Sequence, residues 1–333
     1  MERLSSFTLH RPLTIAEAVS LLAETPAARP IAGGTDLVPN LRDGLGEPPA
    51  LVDLSAIDGF DRIESAAGGV TIGAGTTLAR LAADDGIRDA IPALAEAATT
   101  IAGPGHRTMA TIGGNLCLDT RCVFYNQSAW WRKSNAFCLK HDGDTCHVAP
   151  QGERCHAAFS GDLAPVLLVL GVEVDIAGSG SARRMPLADL YVDDGAAHLT
   201  LARDELLVAV HVPAQPPHAR CGYRKARARG AIDFPLAGVA ARAVSEGGVI
   251  GQIRVALTGT NPRPFLLDGV AEFAGRTVDD ALLAQLGKLV QKQVSPMRTT
   301  VTGSNYRRQV AAVLAQRLVR ALAGGDGEGG GER

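Results

Sequence analysis

The sequence predicts an α+β protein of two domains, with a segment of foreign composition set into the first. Three observations carry this. Short β-rich runs alternate with stretches of helical apolar spacing from the first residues onward. The run Ala214-Gln215-Pro216-Pro217 marks a boundary, splitting the chain into 1–215 and 216–323. Between residues 121 and 160 lie six of the 14 aromatic residues, four of the six cysteines and three of the eight histidines.

The first 58 residues form one subdomain. Thr14 and Glu17 make a capping-box pattern ahead of Ile15, Ala18, Val19 and Leu22, and Pro26 and Pro30 close that helix. A short strand enters Ala32-Gly33-Gly34-Thr35-Asp36, a helical turn covers 37–41, and 51–54 is a second strand. The second subdomain, 59–215, opens with a hairpin in which Ile63 and Val70-Thr71-Ile72 flank Gly68-Gly69. Helices follow over 77–83 and 91–101, then a second glycine turn, Ala110-Thr111-Ile112-Gly113-Gly114-Asn115. After the odd segment, Gly161-Asp162 leads an apolar helix, and 172–176 and 205–212 are strands. In the C-terminal domain, strands over 222–229 and 249–257 are covered by helices over 278–294 and 304–323. Tyr306, Val310, Val313 and Leu314 supply the core stripe of the last helix. The Gly-rich acidic tail 324–333 is expected to be disordered.

Several classes are excluded early. Lys and Arg total 33 against 35 Asp and Glu, so no basic face for nucleic acid is expected. The longest apolar run, 163–172, is half what a bilayer requires, and the N-terminus has no signal-peptide core. A cytoplasmic protein with no membrane association is expected.

The two glycine turns let backbone N–H groups approach an anion closely, although most Gly-Gly pairs are simply turns. Gly73-Ala74-Gly75 is not a dinucleotide fingerprint, because Leu78 stands where its third glycine belongs. Asp162 stands where an N-cap belongs, and Lys225 fits a solvated strand residue. Cys122, Cys138, Cys146 and Cys155 are separated by 15, 7 and 8 residues. Four such thiols can hold an iron–sulfur cluster or zinc, or stay unliganded; the paired knuckles of zinc sites are absent. Cys117 and Cys221 read as buried thiols. His141, His147 and His156 read as surface groups or as neighbours of the thiols. Trp130-Trp131-Arg132-Lys133 is either a loop packing its own tryptophans or a partner surface suited to an acidic electron carrier.

The paired glycine motifs, together with 72–77, Ser160-Gly161-Asp162-Leu163, Tyr223-Arg224-Lys225 and Asn305-Tyr306-Arg307, resemble the FAD-binding medium subunits of molybdenum hydroxylases in order and along nearly the whole chain. The resemblance implies a two-subdomain FAD-binding fold of the vanillyl-alcohol-oxidase type with a C-terminal sheet-and-helix domain of the CO-dehydrogenase flavoprotein type. It implies that Arg29, Pro30, Ile31, Ala32, Gly33, Gly34, Thr35 and Asp36, with Thr111, Ile112, Gly113, Gly114 and Asn115, hold the diphosphate. Asp162 would meet the ribose or adenine end, Lys225 the N1–O2 edge of the flavin, and Ile101 and Leu207 would give apolar contacts. Thr108-Met109 departs from the Asn-Arg usual in the family. A cysteine-bearing insertion of ~40 residues, 119–159, is similar to that of the β subunits of 4-hydroxybenzoyl-CoA reductases, where it carries a [4Fe-4S] cluster.

That resemblance further implies an electron-transfer subunit without catalytic residues of its own. Ferredoxin electrons would reach a molybdopterin-containing large subunit through the [4Fe-4S] cluster, FAD and a [2Fe-2S] small subunit, for reductive dehydroxylation of an aromatic acyl-CoA. Alternatives are a generic molybdenum hydroxylase FAD subunit with NAD as acceptor, an autonomous flavin enzyme, or a zinc-bearing assembly subunit.

Overall fold

The computed structural model describes residues 4–323, so the acidic tail lies outside the described residues. The first subdomain is a small parallel sheet with two helices. Its elements are β1 (Thr8–His10), α1 (Ile15–Glu24), β2 (Arg29–Ile31), α2 (Leu37–Arg42) and β3 (Ala50–Asp53), with the strands ordered β1-β3-β2. The capping box forms: Glu17 N–H donates to Thr14 Oγ1 at 3.1 Å, and the Glu17 carboxylate accepts from Leu13 N–H at 2.9 Å. That fixes the entry of α1, which buries Ala18, Val19 and Leu22.

The second subdomain begins with the hairpin β4 (Ile63–Ala66) and β5 (Gly69–Gly73). Five short helices follow: α3 (Leu78–Ala83), α4 (Asp85–Ala90), α5 (Pro92–Thr99), α6 (Pro104–Arg107) and α7 (Ile112–Leu116). The cysteine segment contributes α8 (Ala129–Ser134). Then come α9 (Leu163–Leu170), β6 (Glu173–Gly178), β7 (Ser181–Pro186) and β8 (Leu206–Pro213). The strands form an antiparallel sheet ordered β4-β5-β8-β6-β7. All eight residues of α9 are buried, as an all-apolar helix requires. It packs against α5, α7 and β8 on one side and the C-terminal sheet on the other.

The C-terminal domain is the antiparallel sheet of β9 (Ala219–Ala226), β10 (Ala237–Glu246), β11 (Val249–Thr258) and β12 (Phe265–Leu266), with α10 (Asp280–Gln293) and α11 (Ser304–Ala323) packed on it. The expected core stripe of α11 is displaced. Tyr306 and Val313 are 56% and 41% exposed; of the expected stripe Leu314 packs against the core, and the helix buries Arg307, Ala311, Ala312, Ala315, Leu318 and Val319. Alanines let the helix lie close against the sheet. Buried Arg307 donates to the carbonyls of Leu236, Met297 and Gly259, tying the helix start to three loops. Among the described residues no helix is long and apolar enough to cross a membrane.

Candidate functional site

The two glycine segments lie against each other. A Cβ on Gly33 would stand 1.8 Å from the Met109 carbonyl oxygen, so only glycine allows this approach. Gly34 takes φ +67°, which turns the chain into α2. The N–H groups of Gly33, Gly34, Thr35 and Asp36 donate to no other group among the described residues. Four consecutive free donors on a half-buried turn fit an anionic diphosphate, as the resemblance implies.

The second segment works differently. It is not a turn but α7, capped by Thr111, whose hydroxyl accepts from Gly114 N–H at 3.1 Å. Ile112 and Gly113 donate to the carbonyls of Thr76 and Ala74. Gly113 must be small because its Cβ would lie 2.9 Å from Ala74. These amides lock the segment onto the loop after β5 and leave no array of free donors. Gly114 is exposed, and a Cβ there would meet only Thr111 Oγ1, at 3.2 Å, leaving an open face for a ligand.

From α7 a continuous polar chain runs inward. Asn115 Oδ1 accepts from Leu163 N–H at 3.1 Å, so Asn115, not Asp162, caps α9. Asp162 is 2% exposed; it accepts from Tyr223 Oη at 2.6 Å and from Lys225 Nζ at 3.0 Å. Burial raises the Asp162 carboxyl above its usual range, opposed by the Lys225 ammonium. Lys225 and Arg227 both donate to the Thr100 carbonyl, beside Ile101. Lys225 is therefore a buried ion-pair member, not a solvated strand residue. Asp162 and Lys225 are thus in contact, whereas the resemblance assigns them to opposite ends of an extended FAD. Ile101 and Leu207, 9% and 5% exposed, both belong to the main core. Arg29 and Pro30 are exposed on β2, ahead of the first turn.

The cysteine segment is stitched to the same region. Arg121 and Ala158 exchange backbone hydrogen bonds across its neck. Arg121 Nη2 donates to Asp36 at 2.6 Å and also reaches Asn40, so the Asp36 carboxylate braces the segment and is not aimed at a diphosphate. Arg132, 3% exposed, donates to the carbonyls of Asp43 and Gly44. Lys140 donates to Asp119 at 2.7 Å, to Thr120 and to the Gly195 carbonyl, with its ammonium 4.7 Å from the Tyr125 ring centre. Nothing in the spacing of Arg121 or Lys140 marks them; Arg132 belongs to the Trp130–Lys133 run, but it is buried on the first subdomain and not offered to a partner.

Cys138, Cys146 and Cys155 are buried and Cys122 is half-buried. Cys138 and Cys122 pack in one small apolar cluster with Leu45 and Tyr125. Tyr125 N–H donates to Cys122 Sγ at 3.3 Å and Ala157 N–H to Cys155 Sγ at 3.4 Å. Burial pushes Cys155 up to about 12. Among the described residues, no group of three or more His, Cys, Asp or Glu side chains is gathered to hold a metal, so neither the expected [4Fe-4S] cluster nor the zinc alternative has a formed site. Cys117 and Cys221 are half-buried rather than buried, but their sulfurs are desolvated and also rise to about 12. His141 stacks on Phe137 and contacts Asp142, and His147 Nε2 bonds the Phe137 carbonyl. Trp130 stands 75% exposed while Trp131 packs near Phe124.

A glycine cradle, a buried carboxylate–lysine pair that joins the two domains and a sheet-and-helix C-terminal domain fit a flavoprotein class. Residues 5–215 match the model of the FAD binding domain in molybdopterin dehydrogenase, and residues 221–322 that of the CO dehydrogenase flavoprotein C-terminal domain. The chain belongs to this family, the medium FAD-binding subunits of the xanthine oxidase and CO dehydrogenase type. It is 31% identical to the aldehyde oxidoreductase FAD-binding subunit of Escherichia coli K12, over 96% of this chain and all of that one. It is 28% identical to the carbon monoxide dehydrogenase medium chain of Afipia carboxidovorans, over 94% and 96% of the two chains. A crystal structure of Cu,Mo-CO dehydrogenase in a cyanide-inactivated form superposes with a TM-score of 0.81 at 26% identity, covering 96% of this chain and 99% of that one.

Proposed function

We propose that this chain is the electron-relay subunit of a molybdenum-containing aromatic acyl-CoA reductase of the 4-hydroxybenzoyl-CoA type. Its FAD would be held by the free amides of Gly33 to Asp36, the open face at Gly114, and the Asp162–Lys225 pair with Ile101 and Leu207. Its [4Fe-4S] cluster would be held by Cys122, Cys138, Cys146 and Cys155. Bound together, these groups supply single-electron transfer between a ferredoxin-type donor and the [2Fe-2S] and molybdopterin centres of partner subunits. The chain's own part is to position. Lys225 places a cation where a reduced flavin gathers negative charge.

The observation that carries this reading is four cysteines within one segment, three of them buried, whose neck Arg121 ties to the first glycine turn. The donor set fits a cluster, one thiolate for each of four irons, with two N–H groups directed at sulfur.

Iron, acid-labile sulfide and flavin analysis of anaerobically purified protein tests the reading. About four irons and four sulfides accompany one FAD if it holds, and Cys138→Ala loses the iron while keeping the FAD. Zinc without sulfide in the wild-type protein would overturn it. The relatives are named for CO and aldehyde oxidation, which favours a second reading: an FAD subunit of an oxidising enzyme that passes electrons to NAD. NAD reduction by the assembled enzyme, set against acyl-CoA reduction with reduced ferredoxin, separates the two.

A further inference from the structure

Away from the glycine segments, a cavity opens where the two domains meet. It has a volume of 340 Å3 and is lined by Ile91, Gln215, Arg220, Cys221, Arg242 and Leu322, among others. Arg242, on β10, is 6% exposed. Its two terminal nitrogens each donate to a neutral amide oxygen, of Gln215 and of Gln252, both at 3.0 Å. Its Nε is buried and has no partner.

No carboxylate lines the cavity among the described residues. The cross-strand neighbours of Arg242 are Cys221 on β9 and Arg254 on β11. Cys221 keeps its proton and Arg254 is a like charge, so neither balances the guanidinium; burial and Arg254 together lower its proton affinity. A buried charge is normally paired. Among the described residues, Arg242 is a buried cation that no carboxylate faces, next to an open volume.

We propose that this cavity binds a phosphate-type oxyanion, free or as the phosphate group of a small metabolite, on the Arg242 guanidinium. Two of its five N–H donors are held by the glutamines, which fix the plane of the group and leave one further N–H on each terminal nitrogen for oxygen acceptors. The volume falls at the lower end of small-molecule pockets and admits little beyond the phosphate and a few attached atoms. Because α5 begins at Pro92 beside Ile91, and α11 ends at Ala323 beside Leu322, the occupant would bridge the two domains.

The test is calorimetric titration of the FAD-loaded full-length protein with inorganic phosphate at constant ionic strength, with chloride as control. The wild-type protein shows saturable one-site binding. Arg242→Gln weakens it at least tenfold, and Arg242→Lys restores part of the loss. Ala321→Phe, at the exposed rim, blocks entry without touching the cation and serves if Arg242→Gln does not fold. Binding of free phosphate only above tens of millimolar, together with tight binding of a phosphorylated small molecule, assigns the site to the metabolite form. Wild-type protein that binds neither, or variants that bind as the wild type does, would overturn the proposal.

Discussion

Replacing Gly33 with Ala tests whether the two glycine segments must touch. The new Cβ would stand 1.8 Å from Met109 O, where an ordinary contact begins at 3.4 Å, so the segments must part by about 1.6 Å. Overpacking of this kind costs about 1–3 kcal/mol. For a domain of this size that lowers the melting midpoint by about 3–10 °C. FAD occupancy falls with it, because the free amides of the first turn move away from the open face at Gly114. Gly114→Ala is the contrasting variant. Its Cβ meets only the Thr111 hydroxyl, so melting stays within about 2 °C of wild type while FAD occupancy drops. Flavin absorbance after gel filtration, read beside a melting curve, gives both quantities. A Gly33→Ala protein with wild-type melting and full FAD would refute the claim that the cradle depends on this contact.

Two further outcomes are expected. His198 is buried, donates Nε2–H to the Leu118 carbonyl at 2.9 Å, and is lowered to about 4 by burial. Between that value and the ~6.5 of an unfolded chain, the unfolded state binds more protons. Stability therefore falls as pH drops from 6.5 towards 4, by up to about 3 kcal/mol. Melting curves from pH 7 to 4.5 should show this slope in the wild type and a shallower one in His198→Gln; equal slopes would sink the assignment. Lys140→Met strips the ammonium from Asp119, Thr120 and Gly195 at the root of the cysteine segment. Breaking such a buried pair costs about 3–5 kcal/mol. Limited proteolysis should then cut within 119–159 while FAD is retained, and cleavage at the wild-type rate would count against that role.

Sequence patterning revealed elements whose cause is local. The Thr14–Glu17 box, the hairpin at Gly68-Gly69 and the apolar α9 appear where spacing placed them, because caps, turns and an all-apolar face act over a few residues. β10 escaped because its alanines carry no strand signature; pairing with β9 and β11 on both sides makes it a strand. The stripe on α11 shifted because close packing selects alanine over larger side chains. At the site, the residue types were legible and their relations were not. Asp162 and Lys225 were singled out through the resemblance, but their contact joins residues from two domains. Likewise Asp36 was visible in its motif, while its partner Arg121 lies far along the chain.

The burial of α9 has a consequence for how the protein comes into being. Its eight apolar residues are covered on one side only when β10 and β11 exist, and these strands belong to the last third of the chain. A ribosome that has released residues 1–215 holds a nascent domain whose central helix still shows a greasy flank. Until the remaining strands arrive, that flank invites chaperones and other nascent chains alike. The two matched regions are separate in sequence, but neither is a natural place to stop synthesis. An excised FAD-binding half is expected to collect in inclusion bodies, where the whole chain stays in solution.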